Sequence, residues 1–236
     1  MMTQHCVLLF LFCCTAFGTL SATYYSQVGQ DKYVNEQFFK DSKNGVFVDI
    51  GAYDGVTGSN SLFFEKELGW TGLCVEPMPE SYEKLKKERT CFCIEGAVAA
   101  TRKKSQFLQI PDYADQLSGL IENYHPTHLQ KIRNCEQIFG NPAKVIEVEC
   151  YTFNELMKNN GITHINFLSV DTEGNEYEIL ESIDWEKHKI DVITVEDNYN
   201  DPRFQILLES KGFELANRIW PDAIYVSREF KAEKSS

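Results

Sequence analysis

The stretch Gly45-Val46-Phe47-Val48-Asp49-Ile50-Gly51-Ala52-Tyr53-Asp54-Gly55 decides the fold. Residues 46–50 are apolar or β-branched except for one acid, the composition and length of a short buried strand. Gly51 and Gly55 follow, then Ser59-Asn60-Ser61 and an apolar-periodic segment. The reading is strand, glycine turn, helix. Glycine has no Cβ, so such a turn lets a ligand approach the backbone closely. Open α/β sheets bind ligands at the carboxyl ends of their strands.

Outward from that stretch, the pattern predicts a helix over residues 31–39 on the amino-terminal side and a helix over 59–68 on the other, with Ser59 or Asn60 as N-cap. A strand over 73–75 closes at Glu76-Pro77, because proline cannot continue the ladder. A charged amphipathic helix over 79–89 turns Tyr82 and Leu85 inward, and a strand over 91–94 places Cys91 and Cys93 on one face, as core packing. These β-α-β-α-β steps predict parallel pairing. A strand over 105–110 precedes residues 111–142, where Pro, Asp, Asn, His and Gly recur without a clear period. Long excursions of this kind serve as lids in many compact domains. Residues 144–150 alternate as a strand, and Thr152 with Glu155 forms a capping box. A buried strand over 165–170 runs into Asp171-Thr172-Glu173-Gly174, followed by a helix over 175–182. A strand over 192–195 closes at Glu196, a helix covers 201–211, and strands over 213–219 and 223–227 end the pattern. Asp49, Glu76, Asp171 and Glu196 thus collect at one sheet edge. An unpaired buried acid is costly, so four of them there point to a solvated ligand cleft.

The chain of 236 residues is long enough for one well-buried domain, with 43% hydrophobic and 25% charged residues. Its net charge of -12 speaks against nucleic acid and anionic membrane surfaces as partners, which need a basic footprint. Residues 6–20 form an apolar run followed by small residues, similar to a secretory signal peptide. Residues 1–22 are therefore expected to be a signal peptide or a short membrane anchor, residues 23–230 the domain, and 231–236 a tail. A leader of that kind would place the protein in the secretory lumen or outside the cell. Of the eight cysteines, three lie in the leader and the remaining odd number leaves at least one free or intermolecular thiol.

The turn is G-x-x-x-G, with Tyr53 where a dinucleotide fingerprint needs its second glycine, and no P-loop is present. Asp49 and Asp54 make it acidic, which repels phosphate and attracts a cation such as a sulfonium. Glu76, one strand later, is placed to accept both hydroxyls of a ribose. A cation, a ribose and an open α/β sheet together point to S-adenosylmethionine (SAM).

The runs VFVDIGAYDG, CVEPMPESYEKL, EGAVA and FLSVDTEGNEYEIL resemble the successive motifs of FkbM-type methyltransferases. The resemblance spans residues 27–227. It implies a three-layer, Rossmann-like class I methyltransferase fold with a mostly parallel sheet and a C-terminal antiparallel strand pair. It also implies SAM as cofactor and O-methylation of a hydroxyl on a small-molecule or glycan acceptor. On this resemblance Asp49, Gly51, Ala52, Asp54 and Gly55 border the methionine part of SAM, Glu76 holds the ribose, and Ala97 and Val98 line the adenine. Asp171 and Glu173 would lie at the methyl-transfer site as the catalytic pair, with Gly174 beside them. Tyr53 and Gly58-Ser59-Asn60 depart from the family's common, Asn-containing turn.

A hydroxyl nucleophile benefits from a general base. Asp171 and Glu173 are the candidates, and His125 and His128 the alternatives. Each also has a purely structural account. Asp171 would cap the next helix, Glu173 would complement its dipole, and the two histidines would be solvated loop residues. Two carboxylates are too few to assign a metal site. The acceptor pocket would come from residues 111–142, with Gln116-Leu117-Ser118-Gly119 as a possible substrate loop, and from the helix over 24–39. A catalytically inactive interaction protein of the secretory pathway is the competing functional class.

Overall fold

The computed structural model describes residues 23–140 and 142–235. The leader expected over residues 1–22 lies outside them. In chain order the strands are β1 (Val46–Ile50), β2 (Thr71–Glu76), β3 (Phe92–Glu95), β4 (Ala97–Val98), β5 (Lys103–Gln109), β6 (Gly119–Leu120), β7 (Lys144–Tyr151), β8 (His164–Val170), β9 (Lys189–Glu196), β10 (Phe213–Ile219) and β11 (Asp222–Ser227). The α-helices are α1 (Gln30–Val34), α2 (Leu62–Leu68), α3 (Pro79–Glu88), α4 (Pro126–Phe139), α5 (Phe153–Asn159), α6 (Glu176–Ser182), α7 (Pro202–Ser210) and α8 (Arg228–Ser235). A π-helical turn, Asn35–Phe39, continues α1.

Seven strands form the main sheet in the order β10-β11-β9-β8-β1-β2-β3. The ladders from β9 through β8, β1 and β2 to β3 are parallel, and β11 runs antiparallel to both β9 and β10. Alternate residues face opposite layers, as strand geometry requires. Val48, Ile50, Leu168 and Val170 pack with Phe153, Leu156, Ile179 and Phe204 from α5, α6 and α7. Phe47 and Phe167 pack on the other side with Phe63 and Phe64 of α2, Leu85 of α3 and Phe230 of α8. This is the three-layer α/β arrangement with the closing hairpin that the resemblance implied.

A second sheet, β4-β7-β5-β6, is the first departure from expectation. Gly96 takes φ 146° and ends β3, so Ala97 and Val98 leave the main sheet and pair with Cys150 and Tyr151. The sequence reading placed them only after the third strand, and nothing local marks their pairing in a second sheet. The second departure is residues 111–142, which hold a 3-10 turn (Asp112–Leu117), a second (Ile121–Asn123) and the fourteen-residue α4. Its buried residues are His128 and Ile132, too few to print a helical period. Pro126 at its start and Gly140 in the left-handed conformation at its end are the signals that mark it. The third is α2, which begins at Leu62 rather than at 59. The Ser59 hydroxyl accepts from the amides of Ser61 and Leu62 at 3.3 and 3.2 Å, so it serves the helix start from outside. Cys91 and Cys93 do share the face of Cys74, and the Cys91 and Cys74 sulfurs lie 3.5 Å apart.

Two strand ends meet at Gly51. Its φ is 85°, and a Cβ there would lie 1.7 Å from the Asp171 carbonyl oxygen. The Asp171 amide donates to Ile50 O at 2.9 Å, which fixes β8 against β1 at that level. Replacing Gly51 by Ala is expected to destabilise the chain by about 3 kcal/mol or more, from the left-handed backbone and the overlap together. Denaturant unfolding measures it, and a change below ~1 kcal/mol would contradict the approach.

Candidate functional site

A cavity of about 340 Å³ opens at the carboxyl ends of the parallel strands. Its walls take Asp49 and Gly51 from β1 and its turn, Glu76 from β2, Ala97 and Val98 from β4, and Asp171 and Glu173 from the turn after β8. Glu196 ends β9 and also lines it, as does Asp222. β11 is antiparallel, so its first residue reaches the edge where the other strands end, and Asp222 is the cross-strand partner of Glu196.

Glu76 is 4% exposed. Its two oxygens accept the amides of Tyr53 at 2.9 Å and Met78 at 2.8 Å. Burial still outweighs these donors and pushes its carboxyl up to about 7. Asp49 is equally buried and accepts the Ser61 hydroxyl at 2.5 Å, and the Ser61 oxygen in turn accepts from Arg89 at 2.9 Å. Burial raises the Asp49 carboxyl, and the Arg89 charge opposes that rise. Arg89 also binds Glu65 at 2.6 Å with its side chain fully buried, so the cation is neutralised within the fold.

The glycine turn divides into two parts. Gly51 and Ala52 line the cavity, and both amides donate to Val75 O, at 3.0 and 3.1 Å. Asp54 and Gly55 are not among the lining residues. The Asp54 carboxylate accepts the amides of Val56 and Thr57 and the Thr57 hydroxyl, and these bonds overcome its burial and hold its carboxyl below the usual range. Gly55, at φ 81°, gives room to Leu85 and Arg89. The turn's acidity towards the cavity therefore comes from Asp49.

Asp171 and Glu173 open partly into the cavity, and Glu173 takes φ 63°. Neither caps α6. Glu176, the first residue of α6, instead reaches back over the turn, accepting the Thr172 amide at 2.7 Å, the Thr172 hydroxyl at 2.9 Å and the Gly174 amide at 3.0 Å. Burial and then the Glu173 charge raise the Asp171 carboxyl well above its ordinary value. Burial and then Glu176 push Glu173 up to about 8. Glu196 rises through burial and the neighbouring acids, Asp171 first. Asp222 rises to about 6 through burial, although Gln30 donates to it at 2.6 Å.

His128 is 2% exposed on α4, not a solvated loop residue. It stacks on Tyr124, and its Nε2 lies 3.0 Å from the Leu117 carbonyl. A carbonyl only accepts, so Nε2 carries the proton. Burial lowers its proton affinity, so the ring is neutral and Nδ1 presents a lone pair. That Nδ1 faces Glu173 Oε2 at 3.4 Å. His125 instead caps α4, accepting the Thr127 amide at 3.2 Å, and stacks on Tyr199. Gln116, Leu117 and Ser118 line the cavity, and Gln27 and Gln30 are what the amino-terminal helical region brings to it. The sequence reading passed over Asp222, Gln30, Asn60 and Trp220, all of which line the cavity. Only the short turn at Pro221-Asp222, joining the last two strands, marked that part of the chain.

The model of the Methyltransferase FkbM domain matches residues 49–221. The chain belongs to the FkbM methyltransferase family. It is thus a member of a family of SAM-dependent methyltransferases, and the match begins at Asp49 and ends beside Asp222. Among solved structures, it is similar to methyltransferase FkbM from Methylobacillus flagellatus KT at 11% identity and a TM-score of 0.45, covering 79% of this chain and 44% of that one. A TehB-like SAM-dependent methyltransferase from Corynebacterium glutamicum is 10% identical with a TM-score of 0.44, covering 86% of this chain and 89% of that one. M. capricolum TrmK, in complex with S-adenosyl-homocysteine, is 9% identical with a TM-score of 0.41, covering 84% and 66%. This chain spans less than half the length of the first of these. No curated protein matches the sequence.

Glu76 supplies a pH test. Its folded-state value of about 7 lies above the ordinary 4.5, so its contribution is fully present below pH 4.5 and is lost as pH rises through 7. The ligand-free protein should melt at a higher temperature at pH 6 than at pH 8.5. Glu76→Gln should narrow that difference, and an unchanged difference in thermal scans would contradict the assignment.

Proposed function

We propose that this chain transfers the methyl group of SAM to a hydroxyl on a small-molecule or carbohydrate acceptor. The observation that carries the reading is the sharing of one cavity by the Gly51 turn, Glu76, Ala97 and Val98 on one side and Asp171 and Glu173 on the other. The residues suit the cofactor. Glu76 is a buried acid on the cavity wall whose two amide donors fix its orientation, and Gly51 leaves the backbone bare at the turn. Glu76 would hold the ribose hydroxyls, Ala97 and Val98 the adenine, and Asp49, Gly51 and Ala52 the methionine end. SAM bound there supplies an electrophilic sulfonium methyl.

The remaining chemistry belongs to the protein. Methyl transfer needs an aligned nucleophile, so positioning does much of the work. Glu173, with a proton affinity near neutrality, is suited to take the acceptor's hydroxyl proton, since a base works best with a pKa near the working pH. When protonated, Glu173 would donate to the Nδ1 lone pair of the His128 ring, which orients that carboxyl. Gln27, Gln30 and Trp220 border the acceptor side, and Trp220 is 71% exposed. Amide groups beside an open indole suit a ligand with hydroxyls and an apolar ring face, which is the chemistry of a sugar.

Calorimetric titration with SAM and S-adenosyl-homocysteine tests the cofactor. Micromolar binding is expected and should be lost in Glu76→Ala, and no binding at millimolar ligand would overturn the reading. With an acceptor in hand, Glu173→Gln should lower kcat by about 10²–10⁴-fold while retaining cofactor binding. Trp220→Ala should raise KM for a carbohydrate acceptor and leave kcat near wild type, which steady-state kinetics separates.

A further inference from the structure

Asp171, Glu173 and Glu196 each place one carboxylate oxygen so that all three lie within 4.8 Å of one another. The sequence offered the first two as neighbours, and the third arrives from β9 through the fold. A hard divalent cation binds oxygen at about 2.0–2.6 Å, so oxygens on opposite sides of one ion stand about 4–5 Å apart. The triad is compact enough to surround a single ion.

Two further groups on the same cavity point to a ligand. Glu196 is 9% exposed, and no donor or cation among the described residues contacts its carboxylate; the charges around it are acids, Asp171 first. Asn60 is 9% exposed, donates from Nδ2 to Ser169 Oγ at 3.1 Å, and leaves its buried Oδ1 acceptor without a partner. Asn60 also lies against Asp222, the cross-strand partner of Glu196. The cationic side chain lining the cavity among the described residues is Lys131, and it makes no ion pair with the three carboxylates. His128 Nδ1 lies 3.4 Å from Glu173. No Lys or Arg among the described residues forms an ion pair with these three carboxylates, so the wall is rich in oxygen acceptors that a cation would satisfy.

We propose that Asp171, Glu173 and Glu196 form a site for a hard divalent cation, Mg²⁺, Mn²⁺ or Ca²⁺, beside the acceptor end of the cavity. All three ligands are oxygens, the donor type these ions take. A divalent ion would offset two of the three carboxylate charges, and an acceptor hydroxyl in the cavity would be a further oxygen ligand for it. Coordination makes that hydroxyl more acidic. The catalytic use of the ion rests on the methyl-transfer reading; the binding of the ion does not.

The test titrates the full chain, stripped with chelator, with Mn²⁺ followed by electron paramagnetic resonance, and with Mg²⁺ and Ca²⁺ by calorimetry. One ion per chain is expected. Glu196→Gln and, separately, Asp171→Asn should each weaken Mn²⁺ binding by at least ~10-fold. Glu186→Gln, on another part of the chain, should leave it unchanged. S-adenosyl-homocysteine titration of each variant shows that the cavity is still formed. No binding of any of the three ions at 10 mM would overturn the proposal. So would binding that Glu196→Gln and Asp171→Asn leave intact. Metal binding that persists in Glu76→Ala, alongside absent SAM binding in the wild type, would remove the methyl-donor reading and leave the cation site standing.

Discussion

The Asp171 carbonyl oxygen occupies the space a side chain at residue 51 would need. That contact places the ends of β1 and β8 closer than any other residue type would permit. It is also where the cavity is joined. The turn after β1 carries Gly51 and Ala52, and the turn after β8 carries Asp171 and Glu173. With the two strands parallel and neighbouring, the register Ile50 to Val170 delivers both turns to the same level. A side chain at 51 would push them apart and separate the two halves of the site.

The same edge concentrates charge that the fold does not neutralise. Arg89 is spent on Glu65 and the Asp49–Ser61 pair. Asp171, Glu173, Glu196 and Asp222 have raised proton affinities because burial, and then neighbouring carboxylates that include Glu176, oppose ionisation. A fold selected for stability alone would replace such groups with apolar ones. Their retention on the wall of a cavity marks energy held back for a ligand or a proton, which is the physical sense in which a perturbed carboxyl points to function.

The legible part of the molecule is the part written in local pattern. Residues 46–50, 73–75, 165–170 and 192–195 are buried on both faces, so their strands appear as apolar runs, each ending near its acid. The strand-end rule therefore found Asp49, Glu76, Asp171 and Glu196. It could not find Asp222, which begins an antiparallel strand and reaches the same edge from the other direction. Nor could it find α4, which buries His128 and Ile132, half-buries Leu129 and Cys135, and leaves much of its remaining surface exposed. The division of the glycine turn was hidden for another reason. Asp54 and Asp49 look equivalent in sequence, and only the Asx-type bonds of Asp54 to Val56 and Thr57 show that one acid builds the turn while the other faces the cavity.

Residues 111–139 then gain a definite role. The Tyr53 hydroxyl donates to Asp115 at 2.6 Å, which fastens this segment to the turn after β1. The Leu117 carbonyl accepts from both Tyr124 and His128, and His128 faces Glu173 on the turn after β8. The segment is therefore held at both turns that meet at Gly51. A displacement of either turn is transmitted to the wall carrying Gln116, Leu117 and Ser118, because each fastening is a buried or part-buried polar contact that costs free energy to break. The sequence pattern suggested a loose cover, whereas the bonds describe a wall whose position is set by the two halves of the site it closes.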